Sequence, residues 1–246
     1  MKNMVCYFTG RGNSLKTAED LAERLGSTEL VPIRHDTLFR ADPDAERIGI
    51  VTSVIDCGLP TLVKRFVRRM PRGRGGLYVF SVVTNGGLPG ATVRQLETLL
   101  KKRTYALSAG WQIKFGLEWS DDEAWAKAVD GMARAILARE VRRCPVTLAD
   151  VALTGVANTL AGFLIPSEDK KFRVSSACTG CGMCKRVCPA GNIEIVDEKP
   201  VFKHKCAQCA ACFSWCPREA ITGTNLAART RWRNPSITPE QMVTGN

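Results

Sequence analysis

Residues 178–189 read CTGCGMCKRVCP and residues 206–217 read CAQCAACFSWCP. Both follow the pattern C-x2-C-x2-C-x3-C-P, with Cys178, Cys181, Cys184 and Cys188 in the first run and Cys206, Cys209, Cys212 and Cys216 in the second. Cys206 lies 28 positions after Cys178, and the other three pairs repeat that offset. The segment is therefore a duplicated half, which predicts pseudo-two-fold symmetry. Three thiolates spaced two residues apart wrap three corners of one iron–sulfur cube, and the fourth corner needs a more distant cysteine. Gly180, Gly182, Ala207, Ala210 and Ala211 keep bulk away from the sulfurs and leave backbone N–H groups free to hydrogen-bond them. The alternative is two structural zinc sites. Zinc usually takes pairs of ligands from separated knuckles, not four cysteines in one short run with a trailing proline.

The segment resembles the bacterial two-[4Fe–4S] ferredoxin at every ligand position. In such proteins the fourth cysteine of each run serves the other cluster. The resemblance thus implies one cluster on Cys178, Cys181, Cys184 and Cys216, and a second on Cys206, Cys209, Cys212 and Cys188.

Upstream, residues 1–143 alternate between strand-like and helix-like patterns. MVCYF (4–8), residues 29–33, IGIVT (48–52), LYVFSVV (77–83) and residues 105–115 read as strands. Between and after them, apolar residues recur at helical spacing: Leu15 to Leu25, Leu62 to Met70, Val93 to Leu100, and Trp125 to Leu137. Such alternation predicts βαβ units and a parallel sheet covered on both faces. Five strands in this length fit the flavodoxin-like doubly wound order. The fold class expected is α/β, a flavodoxin-like doubly wound parallel sheet followed by a smaller α+β two-cluster ferredoxin domain. The boundaries expected are 1–144 for the first domain, 145–172 for a connecting helix or loop across the junction, 173–224 for the cysteine-rich domain, and 225–246 for an extended basic tail.

The first strand ends in FTGRGNS and opens a helix, where backbone N–H groups and the helix dipole favour a phosphate. Thr9, Asn13 and Ser14 offer side-chain donors and Arg11 a charge, with Gly10 and Gly12 giving close backbone approach. The loop is not GxGxxG with a later ribose-binding acid, so a mononucleotide is expected in preference to a dinucleotide. Strand three ends in TSVIDCGLP (52–60) and strand four in TNGGLPG (84–90). Loops at the carboxyl ends of strands are where open α/β sheets bind ligands. Cys57, Gly58, Thr84, Asn85, Gly86 and Gly87 complete the expected FMN-binding set. Turn chemistry alone is the competing explanation of these glycines.

Over nearly its whole length the chain resembles the flavodoxin–ferredoxin fusion proteins common in anaerobic microbes. FTGRGNSLKTAEDLA is similar to that family's phosphate loop and first helix, and CGLP and TNGG to its other flavin loops. Residues 170–202 and 206–221 are similar to its ferredoxin half, and RWRNPSI (231–237) to its terminus. The resemblance implies FMN joined to two clusters. Two departures stand out. Arg11 replaces a common hydroxyl residue, and neither 54–60 nor 84–90 carries the usual aromatic for the flavin ring. Trp111, Phe115 and Trp119 are the candidate substitutes, with core packing as their alternative role.

Composition agrees. The chain has 246 residues, 45% hydrophobic and 24% charged, as in an ordinary globular protein. It lacks an uninterrupted apolar run long enough to span a bilayer, and its start lacks a secretory signal pattern. A cytoplasmic setting is expected, where eleven cysteines are ligands or free thiols before they are disulfides. The net charge of +11 falls once thiolate-bound clusters and a flavin phosphate are counted, but stays positive. Residues 60–103 carry ten basic side chains against one acid, Glu97, which suits an acidic redox partner or simply a solvated face. Nucleic acid is not an expected partner, for no recognised binding motif is present. Cys6 reads as core and Cys57 as filler or flavin neighbour. His35 and His204 read as surface residues. No residue pattern marks a substrate acid–base pair, so no catalytic residue is assigned. The function expected is electron transfer between two [4Fe–4S] clusters and FMN. The alternative is a flavin-free carrier whose first domain is a docking module.

Overall fold

The computed structural model describes residues 2–40, 44–115, 122–223 and 231–244, with the side chains of 158–167 and 244 left aside. Trp119 and Arg229 lie outside the described residues. The first half alternates as its hydrophobic pattern requires: β1 (Lys2–Phe8), α1 (Asn13–Leu25), β2 (Thr28–Pro32), β3 (Ala45–Ser53), α2 (Thr61–Arg69), β4 (Tyr78–Asn85), α3 (Thr92–Lys101), β5 (Leu107–Lys114) and α4 (Asp122–Leu137). The strands form one sheet in the order β2-β1-β3-β4-β5, with every neighbouring pair parallel. This is the flavodoxin-like order, and the chain reverses its direction of spread between β1 and β3.

The period of two in β1 sorts its side chains between two cores. Val5 and Tyr7 join Leu15, Ala18 and Leu21 of α1 and Val129, Met132 and Ile136 of α4 on one face. Met4, Cys6 and Phe8 join Val63, Phe66 and Val67 of α2 and Leu96 and Leu100 of α3 on the other. A sheet buried on both faces reads as a near-continuous apolar run, as β4 does with all eight residues buried. On α2 the apolar stripe leaves Arg65, Arg68 and Arg69 exposed and Lys64 half-buried, as the helical spacing predicts.

Residues 145–172 are a helix, α5 (Leu148–Leu164), followed by a short 3-10 segment (Ile165–Lys171). Thr147 and Asp150 start α5 with a capping box: the Asp150 carboxylate accepts from the Thr147 N–H at 2.9 Å, and the Thr147 hydroxyl accepts from the Asp150 N–H at 3.1 Å. One buried polar residue docks the helix. The Thr154 hydroxyl donates to the Cys57 carbonyl at 2.7 Å and accepts from the Ala91 N–H at 2.7 Å. Gly90, at φ +53°, has no room for a side chain beside that same pair of groups.

The cysteine-rich region is small and built in two similar halves. It contains β6 (Arg173–Val174), α6 (Met183–Arg186), β7 (Ile193–Val196), β8 (Lys199–Phe202), α7 (Ala211–Ser214) and β9 (Ile221–Thr222), with β6 antiparallel to β9 and β7 to β8. It shares the core on the α2 side of the sheet through Phe172, Ile193, Phe213 and Ile221. Polar seams reinforce this. The His35 N–H donates to the Pro189 carbonyl at 2.8 Å, and the Arg34 guanidinium donates to the Cys188 carbonyl at 2.9 Å.

The tail departs from expectation. Its sequence reads as extended, yet its described residues fold back on the sheet domain and end in α8 (Pro239–Thr244). Thr238 and Gln241 cap α8 reciprocally, at 2.8 and 3.2 Å, and Pro239 occupies the first helical position, where it loses no hydrogen bond. Ile237 and Met242 bury their side chains in the core beside α1.

Candidate redox site

The fold gathers the eight clustered cysteines into two sets of four. Cys178, Cys181, Cys184 and Cys216 line one small cavity, together with Gly180, Gly182 and Ala220. Cys188, Cys206, Cys209 and Cys212 line another, with Ala207, Ala210 and Ala211. Each set takes three thiols from one run and the fourth from the other, the partition that the sequence resemblance implied. Backbone N–H groups point at sulfur in both sets: Ala220 to Cys216 at 3.3 Å, Asn192 to Cys188 at 3.4 Å, and Gln208 to Cys206 at 3.3 Å. Among the described residues no three His, Cys, Asp or Glu side chains converge as they would on a single ion; these thiols line a space instead.

Left-handed backbone makes these tight loops feasible. Gly180 (φ +68°), Gly182 (φ +71°) and Ala210 (φ +59°) all have positive φ, and Gly182 and Ala210 occupy matching positions before α6 and α7. Burial pushes the Cys184 thiol up to about 11 and Cys209 up to about 12, and it raises Cys212 well above the usual thiol value. Neighbouring thiols add to each shift. Thiols so placed stay protonated near neutral pH; a metal that bound their sulfurs would displace those protons to solvent.

At the carboxyl ends of β1, β3 and β4 lies a cleft of about 360 Å³, within the range of small-molecule sites. Of the residues expected there, Thr9, Gly10, Arg11, Asn13, Ser14, Thr84, Asn85 and Gly86 line it; Gly12, Cys57, Gly58 and Gly87 do not. Gly12 instead starts α1 at φ +102°, with its N–H donated to the Thr9 hydroxyl at 3.0 Å. Cys57 and Asp56, both at positive φ, form a tight turn between Ile55 and Gly58. That turn puts Asp56 on the cleft and leaves Cys57 facing α5 through its carbonyl. The Ser14 and Thr84 hydroxyls are 3.0 Å apart and buried, which ties the first loop to the third. The Asn85 amide donates to the Ile113 carbonyl at 3.1 Å and its oxygen accepts from the Gly87 N–H, so this side chain shapes the loop as well as lining the cleft.

Sequence reasoning missed Ser53, Val54, Ile55 and Asp56, and it missed the contribution of the cysteine-rich region and the tail. Gln208, Cys209 and Trp232 line the same cleft. Of the three candidate aromatics, Phe115 lines it, whereas Trp111 packs against the core beside Arg142. A methyl group on Gly10 would overlap the Cys209 carbonyl, so glycine there lets the cysteine loop rest on the first cleft loop. The neighbouring Trp215 indole donates to the Gly10 carbonyl at 2.9 Å. His35 and His204 stand away from the thiols: His204 pairs with buried Asp169 at 2.9 Å, and the His35 ring packs on Gly191.

The cysteine-rich region has matches among known protein families. Residues 177–221 match the family of 4Fe-4S dicluster domains. Over 55 residues the chain is 36% identical to one component of the ion-translocating oxidoreductase complex of Methanosarcina acetivorans, a match covering 22% of this chain and 21% of that protein. The chain thus spans about a fifth of the length of this curated relative. Among solved structures, the flavodoxin of Streptococcus pneumoniae TIGR4 aligns over 56% of this chain and 99% of its own, at 13% identity and a TM-score of 0.47. The FMN complex of a Lactobacillus acidophilus flavoprotein aligns over 45% and 92%, at 17% identity and a TM-score of 0.38. The fold assignment itself rests on strand order and direction. A flavodoxin-like parallel sheet is here joined to a segment that matches the 4Fe-4S dicluster family, an arrangement consistent with a flavodoxin–ferredoxin fusion. Such a pairing is the apparatus of electron transfer. No helix among the described residues is long and apolar enough to cross a membrane.

Proposed function

We propose that this chain transfers electrons between two [4Fe–4S] clusters and an FMN, and that it does so over one short internal path. Cys178, Cys181, Cys184 and Cys216 would hold the outer cluster, and Cys188, Cys206, Cys209 and Cys212 the inner one. The domains would run 1–144, 173–224 and 225–246, with 145–172 connecting them. Thiol donors, small neighbours and N–H groups aimed at sulfur all fit iron–sulfur cubes. The cleft fits a phosphorylated flavin: Thr9, Ser14, Thr84 and Arg11 line it, and α1 begins at Asn13 on its wall. The observation that carries the reading is that Cys209 belongs to one thiol set and also lines that cleft.

When bound, the clusters pass single electrons and the flavin takes one or two, so one-electron carriers can serve a two-electron acceptor. The protein residues set distance, shielding and field. Cys181 is exposed, which makes the outer set the port to other proteins. Exposed Lys185, Arg186 and Arg218 around that port, and Arg65, Arg68 and Arg69 on α2, suit an acidic redox partner. A cytoplasmic setting accords with ligand thiols kept reduced.

Counting iron, sulfide and flavin per chain after anaerobic purification tests the reading. Two clusters give about eight iron and eight sulfide, with one FMN released on denaturation. Stoichiometric zinc without sulfide overturns it. Full iron with no flavin, even after reconstitution, leaves only a carrier with a docking domain.

A further inference from the structure

We infer that Trp232 forms part of the flavin site, and that the tail makes flavin retention depend on a folded cluster domain. This rests on the FMN reading above and adds a residue and a linkage to it. A flat isoalloxazine needs a flat apolar cover, and aromatic side chains supply one at low entropy cost. Phe115 and Trp232 are the aromatics lining the described cleft. Phe115 is largely committed to the core, 9% exposed and 5.1 Å from the Trp125 ring. Trp232 is half-buried and reaches the cleft from the tail, a cleft that Gln208 and Cys209 also line.

The backbone on both sides of Trp232 is clamped, and the two clamps belong to different parts of the protein. On one side, the Arg231 guanidinium donates to the carbonyls of Phe213 at 2.8 Å, Glu219 at 2.8 Å and Ile221 at 2.7 Å. It also stacks 3.9 Å above the Phe213 ring. Phe213 lies between Cys212 and Cys216, so these acceptors hold their places only while the cysteine loops do. On the other side, the Asn234 N–H donates to the Arg11 carbonyl at 2.8 Å and its side-chain amide to the Asn13 oxygen at 2.9 Å. Asn234 is fully buried. Arg233 leans on the Trp215 ring at 5.2 Å, and Trp215 is itself bonded to Gly10. The four-residue span 231–234, held at both ends, fixes Trp232 at the cleft. If the cysteine loops unravel, the Arg231 anchor goes and the cover loosens. Coupling of this kind is reciprocal, so bound flavin also favours the folded cluster region.

The test titrates FMN into the full, cluster-loaded chain and follows both affinity and flavin emission, which a tryptophan in contact with the ring quenches by electron transfer. Wild type, Trp232→Ala and Trp232→Phe are compared, with iron content and thermal unfolding confirming that each variant is folded. The expected result is that W232A binds at least about tenfold more weakly. W232F stays within about threefold of wild type, and both variants recover emission in the bound state. In a second arm the clusters are stripped by chelation. Stripping should weaken FMN binding in wild type and add little in W232A, as two changes acting through one contact do. A wild type that takes up no FMN sinks the FMN reading itself. A wild type that binds FMN while W232A matches it in affinity and quenching overturns the present inference. So does W232F falling as far as W232A, or cluster removal costing both proteins equally.

Discussion

The Trp215 indole N–H donates to the Gly10 carbonyl at 2.9 Å, in the interior, across 205 positions of sequence. Trp215 sits just before Cys216 and is 1% exposed. Gly10 opens the first loop of the cleft. One hydrogen bond therefore fastens the cysteine-rich region to the end of β1. Trp215→Phe keeps an aromatic ring but leaves the carbonyl without that donor in a buried place. The expected cost is about 1–3 kcal/mol, read as a lower denaturation midpoint of the cluster-loaded chain. An unchanged midpoint would mean that water or a neighbouring group takes over the bond.

Gly10→Ala tests the same contact from the other side. The added methyl group would meet the Cys209 carbonyl, a backbone group that cannot swing aside. The loops must separate, so the change should disturb both the cleft and the inner thiol set. The expected outcome is loss of bound flavin together with lower iron content after anaerobic purification. Gly75→Ala, at a position with open space around it, serves as the control and should leave both unchanged.

The parallel sheet was legible because each strand carries its own signal. Val5 and Tyr7 against Met4, Cys6 and Phe8 is a period of two, and Leu62, Phe66 and Met70 is a helical stripe. The thiol sets were legible because a fixed spacing has one geometric solution. The tail was not, for a physical reason. Arg231 and Asn234 hold it by hydrogen bonds to main-chain carbonyls and an amide, and such bonds leave no periodicity. Its one readable sign was Thr238 with Gln241 three residues on, a capping box that encloses Pro239 and precedes an apolar pair. Trp232 carries no such signal either, because it stands in the tail, far in sequence from the loops that follow strands. The docking of α5 was hidden too, since Thr154, one of two threonines in a mostly apolar helix, looks like a minor interruption.

Asp169 shows what a buried carboxylate does away from the cleft. It is 2% exposed, accepts from the Asn192 amide at 2.9 Å and faces the His204 ring nitrogen at 2.9 Å. Asn192 in turn accepts from the Lys205 N–H and gives its own N–H to Cys188. The network thus runs from the 3-10 segment after α5 to the inner thiol set. Asp169→Ala removes a satisfied acceptor and strands the Asn192 amide, with an expected loss of about 2–4 kcal/mol. Chemical denaturation measures it, and inner-set iron should be the first lost on mild heating.

The buried Cys6 thiol of β1, which belongs to neither thiol set, gives the chain a pH dependence. Desolvation in the core, with the nearby Glu29 charge, holds it far above the ordinary thiol value of 9.0. A raised value means that the folded form holds its proton more tightly than the unfolded form. The resulting stability is complete below about pH 9 and drains away as pH rises above that value. Denaturation midpoints of the cluster-loaded chain should therefore fall between about pH 8 and pH 10.5, and Cys6→Ala should flatten that fall.

The two thiol sets differ in what lies beside them, and that difference is measurable. Cys181 is exposed on the outer set, whereas Cys209 belongs to the inner set and also lines the cleft. If each set holds one cluster, Cys181→Ser and Cys209→Ser should each lower iron by about half, for a hydroxyl is a poor replacement for thiolate. C209S should also disturb the cleft directly, because Cys209 itself lines it and the loop that its cluster would hold rests on Gly10. The flavin absorption band, followed in anaerobic protein after reconstitution, should therefore shift or vanish in C209S and change less in C181S, where only the Arg231 anchor is loosened. Equal disturbance in both variants would mean that the outer set, not only the inner one, touches the flavin environment, and the single internal path would have to be redrawn.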